Sequence, residues 1–390
     1  MRRRTFLAAS GRAALGVSFL PALACSPAGQ RPAESSARTT SEALIADLEA
    51  QLPPLMADAF VPGLSIALVR DAQVVWRRGF GVTDSASRHP VDSDTVFAAQ
   101  SMSKPVFAYV VLKLCEKGVL DLDTPLTRVA PHRVLAGDAR LDLITARHVL
   151  SHTAGFQNWR SQAEPLKINF VPGERWLYSG EGYSYLQSVV THLTGHVDTN
   201  ACATYEGDLR VCATDIDEYM KANLLVPFGM SSSGYVWNAM FEARAARPHD
   251  AVGTPIQKTM NPTATDAARY ASSGALLSTA TDYAKFLIEV INPKGSDPFH
   301  LTKEGVAEMV RPVVKVPDDP RSSSWALGWQ VFANDAGAVI AHGGNGRGFH
   351  AFAAASVAKQ SAFVVMTNGD LGWRLLDKLT SGEAMNRLLG

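Results

Sequence analysis

Cysteine, net charge and long hydrophobic runs are all scarce in this chain of 390 residues. Only 4 cysteines are present, too few for a disulfide-stapled small scaffold, which the length also excludes. Lysine and arginine together number 37, as do aspartate and glutamate, so the formal net charge is zero. No basic surplus exists to hold a nucleic-acid backbone. No apolar run approaches the ~18 residues that cross a bilayer, so no transmembrane span is expected in the mature chain. Several catalytic signatures are missing too: there is no Gly-x-Ser-x-Gly elbow, no His-Glu-x-x-His and no Gly-Lys-Ser/Thr phosphate loop. What is present is 46% hydrophobic residues, enough for an ordered globular protein and too much for a disordered one. The length fits two or three domain-sized units, or one large enzyme fold with an inserted lobe.

The first 24 residues read as an export signal. Arg2, Arg3 and Arg4 precede the apolar stretch Ala13–Ala24, and Arg3-Arg4-Thr5-Phe6-Leu7 resembles a twin-arginine signal. Ala22-Leu23-Ala24 is a small-x-small cleavage site, and Cys25 directly after it is a candidate for lipidation and membrane attachment. Removing residues 1–24 takes four arginines and no acid, leaving a net charge of four negatives. The next stretch, to residue 41, is rich in Ser, Ala and Pro and reads as a tether. An exported protein in the periplasm or cell envelope is therefore expected, in a compartment where Cys202 and Cys212 can oxidise to a disulfide. Cys115 sits among apolar neighbours and reads as core.

Residues 42–390 divide by pattern. A helical stripe over 42–52 is stopped by Pro53-Pro54. Strands are expected at Leu64–Arg70 and Gln73–Phe80, with Asp71-Ala72 as a hairpin turn. Four more follow late in the chain, at Ala326–Phe332, Ala338–His342, Phe349–Ser356 and Ser361–Thr367, and Leu371–Leu389 reads as a closing helix. Helical spacing fills the middle, at Val106–Glu116, Ala146–Ser151, Tyr183–Leu193, Asp215–Leu225 and Asp282–Ile291. Strands at both ends and helices between them point to an α+β fold: one antiparallel sheet built from about 42–100 and 271–390, with a helical lobe of about 101–270 inserted.

Three local features carry chemistry. Ser101-Met102-Ser103-Lys104 places a hydroxyl and an amine one helical turn apart if Ser101 opens a helix. The unpaired N–H groups of that helix start can bind a developing oxyanion. At an ordinary pKa near 10.4 only about 1 lysine in 2,500 is neutral at pH 7, so burial or a second cation must lower it for Lys104 to serve as a base. By spacing alone, a nucleophile and a helix cap are both open for Ser101. A second tetrad, Ser356-Val357-Ala358-Lys359, lies between a strand and a turn and reads as solvent-facing hairpin residues. The second feature is the Pro172-Gly173 turn leading to Tyr178-Ser179-Gly180, where Tyr178 either presents its hydroxyl to a cleft or packs on the next helix. The third is His342-Gly343-Gly344-Asn345-Gly346-Arg347-Gly348, a strand end running into glycines that suits a wide hairpin or close backbone approach to a ligand. His148 and His152 are four apart, but no third ligand lies near, so no metal is expected. No cofactor is expected either.

In this order the three features resemble the serine β-lactamase and penicillin-recognising hydrolase superfamily, in its class C-like branch of β-lactamases, DD-carboxypeptidases, D-aminopeptidases and carboxylesterases. Ser101 and Lys104 match its Ser-x-x-Lys motif, Tyr178 its Tyr-x-Asn motif, and His342-Gly343-Gly344 its Lys-Thr-Gly or His-x-Gly motif. Val149–Phe156, Leu225–Met230, Ser273–Thr279 and Val365–Asp370 also look familial. The resemblance implies a β-lactamase/transpeptidase-like fold and a serine hydrolase. Ser101 would form an acyl-enzyme, and Tyr178, coupled to Lys104, would take the Ser101 proton and pass it to the leaving group. The backbone N–H groups of Ser101 and Asn345 would form the oxyanion hole. His342 would line the opposite wall, and His152 would be structural.

Two departures bear on the substrate. His342 stands where family β-lactamases usually carry Lys, and a neutral imidazole holds a substrate carboxylate less well. Gly180 stands where Asn is usual, which removes an amide. Arg347 is a candidate replacement cation, beside Gly343 and Gly344 as substrate-binding candidates. A small-molecule carboxylester ranks first, a D-amino-acid peptide second and a β-lactam third. The alternative of another class is a non-catalytic cell-envelope protein that binds peptides or penicillins in the same cleft.

Overall fold

The computed structural model describes residues 32–132, 135, 137–195, 216–257, 270–295, 297–334 and 337–389. Residues 1–31, with the stretch read as an export signal and Cys25, lie outside them, as do Cys202 and Cys212. The chain divides into two units, Met1–Leu44 and Ile45–Gly390.

Helix α1 runs from Pro32 to Asp58 with Pro53 and Pro54 inside it. It is longer at both ends than its sequence stripe, and its start falls within the stretch read as a tether. The two prolines do not stop it because Leu48, Leu52 and Met56 carry the buried stripe past them, while both prolines lie on the exposed face. Carbonyls left unpaired there can turn to water.

Strands β1 (Gly63–Arg70) and β2 (Gln73–Gly81) form the expected hairpin. Its turn residues Asp71 and Ala72 both have positive φ, at 50° and 53°, the conformation that matches the twist of a two-residue hairpin. A short strand, β3 (Phe97–Ala98), precedes helix α2 (Ser103–Glu116). The middle region then carries α3 (Ala146–Leu150), α4 (Gly180–Thr194) and α5 (Ala239–Arg244). Residues 216–225, read as one helix, pass into a π-helical turn at Lys221–Leu225. Strand β4 (Leu277–Ser278) pairs with β3 and closes this region against the start of α2. Helices α6 (Ala280–Ile291) and α7 (Lys303–Val310) follow.

The late strands are β5 (Val314–Lys315), β6 (Ser324–Trp325), β7 (Gln330–Asn334), β8 (Gly337–Gly346), β9 (Phe349–Ser356) and β10 (Ser361–Thr367). With β1 and β2 they make an eight-stranded antiparallel sheet in the order β2-β1-β10-β9-β8-β7-β6-β5. The sheet is closed where the two chain ends meet, Leu64 opposite Thr367 through Val69 opposite Ala362. All seven residues of β10 are buried, so both faces of the sheet centre are covered. Helix α6 packs on β1 and β10, while α8 (Gly372–Thr380) packs on β9 and α9 (Glu383–Leu389) on β10. The closing helix read as one piece is thus two. The break falls at Ser381-Gly382, where the Ser381 hydroxyl bonds back to the Asp377 carbonyl at 2.7 Å. The fold class is α+β, with the helical and irregular middle set between β3 and β4.

Candidate active site

Ser101 lies in a 3-10 turn, Gln100–Met102, that feeds directly into α2. The turn is held on several sides. Ala99 N–H donates to the Leu276 carbonyl at 2.8 Å. Ser103 Oγ–H donates to the Gln100 carbonyl at 2.7 Å and accepts Leu276 N–H at 3.0 Å. The Tyr283 hydroxyl donates to the Met102 carbonyl at 2.9 Å. Gln100 sits at φ 52°, a costly conformation for a residue with a Cβ, which persists only where the surroundings enforce it.

Strand β8 supplies part of that enforcement. Its glycine run after His342, which by sequence suits a wide hairpin or close backbone approach to a ligand, is not a wide hairpin: the strand continues to Gly346 and the turn is only Arg347-Gly348. The glycines serve close packing against the Ser101 turn. A Cβ on Gly344 would lie 2.2 Å from the Ala99 carbonyl oxygen, and one on Gly346 would meet the Gln100 side chain at 2.6 Å. Only glycine lets the strand come this close.

Lys104 points back toward Ser101. Its Nζ is 3.2 Å from Ser101 Oγ and donates to the Ser273 carbonyl at 2.7 Å. The side chain is wholly buried, and no carboxylate is paired with it among the described residues. Burial pushes its pKa down to about 7, because an ammonium out of water is disfavoured. The Nζ also stands over two aromatic rings, 4.8 Å from the Tyr178 centroid and 5.5 Å from that of Tyr183.

Burial pushes the Tyr178 pKa well up, an effect that the neighbouring Ser101 hydroxyl partly opposes. It therefore stands beside the serine as a neutral phenol. Behind it is an aromatic stack: the rings of His152 and Tyr178 are 4.2 Å apart, with Trp325 4.9 Å from His152. Ser179 N–H donates to His152 Nδ1 at 3.1 Å, which fixes the proton on Nε2. Burial first, then Lys104 and His342, drive the His152 pKa down. The expectation that His152 is structural fits this placement. Thr145 caps α3 by accepting the His148 N–H, and His148 Nδ1 lies 3.0 Å from the Leu143 carbonyl.

His342 is buried at the cleft wall, 6.4 Å from Tyr178 between ring centroids. Its Nδ1 is 2.7 Å from the Gly343 carbonyl; a carbonyl only accepts, so Nδ1 carries the proton and Nε2 is a lone pair. Burial lowers its pKa to about 3, with Lys104 adding to the effect. This wall offers an acceptor and not a cation.

The cleft has a volume of about 1140 Å3, and Ser101, Tyr178, His342, Gly343 and Asn345 all line it. Gly344 and Arg347 do not; Gly344 packs on Ala99, and the charge of Arg347 acts on Asp250. The basic side chain at the rim is Arg321, which no motif marked. Sequence reasoning also missed the Ser273 carbonyl, although its segment was noted, and the aromatic wall of Trp159, Trp176, Tyr270 and Trp325. Ser356 of the second tetrad is fully buried at the end of β9, not solvent-facing, and Lys359 is exposed in the turn after it.

Comparison with known proteins agrees with the architecture. The pattern of the Beta-lactamase family matches residues 48–379. Esterase EstB of Burkholderia gladioli is 27% identical over 243 residues, 55% of this chain and 57% of EstB. Penicillin-binding protein 4* of Bacillus subtilis (strain 168) is 26% identical over 152 residues, 34% of this chain and 32% of that protein. The chain spans about a third to three fifths of the length of the curated relatives it matches. Among solved structures, D-alanine carboxypeptidase AmpC from Burkholderia cenocepacia superposes with a TM-score of 0.67 at 18% identity, covering 86% of this chain and 99% of that one. The octameric penicillin-binding protein homologue from Pyrococcus abyssi gives 0.67 at 23%, covering 86% and 76%; at these identities the likeness shows a common fold. With the family pattern running from α1 to α8 and Ser101, Lys104, Tyr178 and His342 gathered at one cleft, the chain belongs to the Beta-lactamase family.

Proposed function

We propose that this protein is a serine hydrolase that cleaves a carboxylester through an acyl-enzyme on Ser101. The observation that carries the reading is Lys104: a wholly buried amine 3.2 Å from Ser101 Oγ, with its pKa brought down to about 7. Near neutral pH a substantial fraction of it is a free base, which an exposed lysine is not. Lys104 takes the Ser101 proton as Oγ bonds to the substrate carbonyl carbon. The negative charge that develops on the carbonyl oxygen is met by the backbone N–H groups of Ser101 and Asn345, such donors being worth about 3–4 kcal/mol each. When the carbon–oxygen bond to the alcohol breaks, the leaving oxygen takes a proton from Tyr178, which is replenished from the Lys104 ammonium. Water then repeats the sequence on the acyl-enzyme. Tyr178 acts here as a neutral relay, since burial opposes its phenolate.

His342 and Gly180 support the ranking of esters over D-peptides and β-lactams. A lone-pair Nε2 on a ring that stays neutral holds no carboxylate, and Gly180 offers no amide to an acylamide chain. The relative named Esterase EstB is compatible with ester substrates, and the one named penicillin-binding protein 4* with a penicillin in the same cleft. Export with cleavage after Ala24, and lipidation of Cys25 in the periplasm or envelope, complete the proposal. Intact mass of protein recovered from cell membranes tests the location: a diacylglyceryl adduct on a chain starting at Cys25 supports anchoring.

The test of the chemistry is intact mass after incubation with a fluorophosphonate. One adduct on the parent and none on Ser101→Ala is expected. A folded parent that takes no adduct between pH 6 and 9 overturns the hydrolase reading in favour of a binding protein.

A further inference from the structure

The position after Ser179 carries glycine, and the structure shows what occupies the space. A Cβ on Gly180 would lie 2.2 Å from Cη2 of the Trp159 indole, 2.4 Å from Cζ2 and 2.7 Å from Cζ3. The six-membered edge of the Trp159 ring therefore rests on the bare backbone of Gly180, two residues from Tyr178. Any side chain here displaces the indole.

Trp159 is held in place by both its neighbours. The Asn158 side-chain oxygen accepts Gly180 N–H at 2.9 Å, and its carbonyl accepts Gly180 N–H and Glu181 N–H, each at 3.1 Å. On the other side, Arg160 grips the buried Glu181 carboxylate through Nε at 3.1 Å and Nη2 at 2.8 Å, and its backbone N–H donates to the same group at 3.0 Å. The loop is thus clamped to the N-terminus of α4 on either side of the indole. Trp159 meets Tyr270 edge to face, 5.2 Å between centroids. Both rings line the cleft that contains Ser101, and Trp159 keeps 40% of its surface exposed. A fixed, half-open aromatic corner beside a nucleophile is a surface for a flat apolar group, because preorganised rings cost no ordering when a second ring packs on them.

We infer that Trp159, seated on Gly180 and braced by Tyr270, is a specificity-determining residue that packs against an aromatic ring of a neutral ester substrate. The inference rests on the hydrolase reading above and names its substrate class. Either half of the ester could bring the ring, so the test uses ethyl acetate, ethyl phenylacetate and 2-phenylethyl acetate, with acid release followed by titration at constant pH. In the parent, at least one ring-bearing ester is expected to exceed ethyl acetate in kcat/KM by about tenfold or more, the scale of one good ring contact plus its buried area. Trp159→Ala should remove most of that advantage, mainly through KM, and Trp159→Phe should keep part of it. Gly180→Ala should act in the same direction as Trp159→Ala, since its methyl group pushes the indole off its seat.

Fluorophosphonate labelling of Ser101 is read on every variant. A labelled parent with no preference for either ring-bearing ester overturns the inference and leaves the hydrolase reading standing. So does a preference that survives intact in Trp159→Ala. A folded parent that is not labelled removes both together.

Discussion

The chain spells Ser-x-x-Lys twice, and the two tetrads have nothing in common beyond their letters. At Ser101 the motif spans a 3-10 turn and the first turn of α2, so the lysine folds back onto the serine at 3.2 Å. At Ser356 it spans the last residue of β9 and a hairpin turn, and the hydrogen bond across it is from the Lys359 backbone N–H to Ser356 Oγ at 3.4 Å. Lys104 has no exposed surface, whereas Lys359 is exposed. The chemistry comes from the burial and the helical fold-back, and the motif serves only where both are supplied. Helical geometry sets the distance; desolvation sets the pKa.

The sharpest way to break the contrast is to remove the amine. Lys104→Met should lower the rate of Ser101 acylation by at least about a thousandfold, the scale on which a nucleophile loses its base. Stopped-flow or quenched labelling with a fluorophosphonate measures it. A loss under tenfold would mean that burial of Lys104 is incidental.

The next largest effect should come from the strand that presses on the turn. Gly344→Ala sets a methyl group against the Ala99 carbonyl, backbone that cannot swing aside. Displacing Ser101 by about 1 Å costs on the order of a hundredfold in rate, and overpacking costs about 1–3 kcal/mol of stability. Esterase assays and thermal unfolding read the two. Gly118, where a Cβ would meet nothing within 4 Å, is the control for space, although its φ of 69° still makes alanine there mildly strained.

Acidity gives a third, smaller handle. With Lys104 at about 7, kcat/KM should climb about tenfold per pH unit below 7 and level off above it. Stability follows the same proton. The folded pKa lies below the unfolded value near 10.4, so between the two the unfolded chain holds more protons and stability rises with pH. The cost of the buried ammonium is present in full below pH 7. Lys104→Met should therefore raise Tm most at pH 6, with the gain shrinking toward pH 10. A gain independent of pH would mean that Lys104 holds its proton in the folded chain as it does in the unfolded one, its pKa not lowered by burial.

The sequence made the local parts of this site legible and hid the tertiary ones. Ser101 and Lys104 are three apart, and Tyr178 and His342 each sit in a short run of distinctive residues. Gly180 stood out as a departure, but its cause is a tryptophan 21 positions earlier, which no spacing rule connects to it. The glycines after His342 looked like a loop because nothing in them reveals that Ala99 and Gln100 pack on the strand. Strands β5 and β6 are two residues each, too short for an alternating pattern to register. Pro53 and Pro54 misled in the opposite sense: the local rule against helix was sound, and the buried stripe of Leu48, Leu52 and Met56 overrode it.

The smallest expected effect is the most discriminating for the two tetrads. Lys359 is exposed and bonds Ser356 through its backbone N–H, so Lys359→Met should change stability by less than about 0.5 kcal/mol and leave labelling intact. Ser356→Ala removes a buried hydroxyl that accepts the Lys359 N–H, which should cost about 1 kcal/mol and again spare the label. Melting curves and adduct counts on the same samples decide the matter. If either substitution slowed acylation of Ser101, the second tetrad would be coupled to the cleft through β9, whose Phe349, Ala351 and Phe352 line it. If neither did, two identical spacings would differ wholly in the surroundings the fold supplies, and the hydrolase reading would rest on the buried amine beside Ser101 rather than on a string of letters.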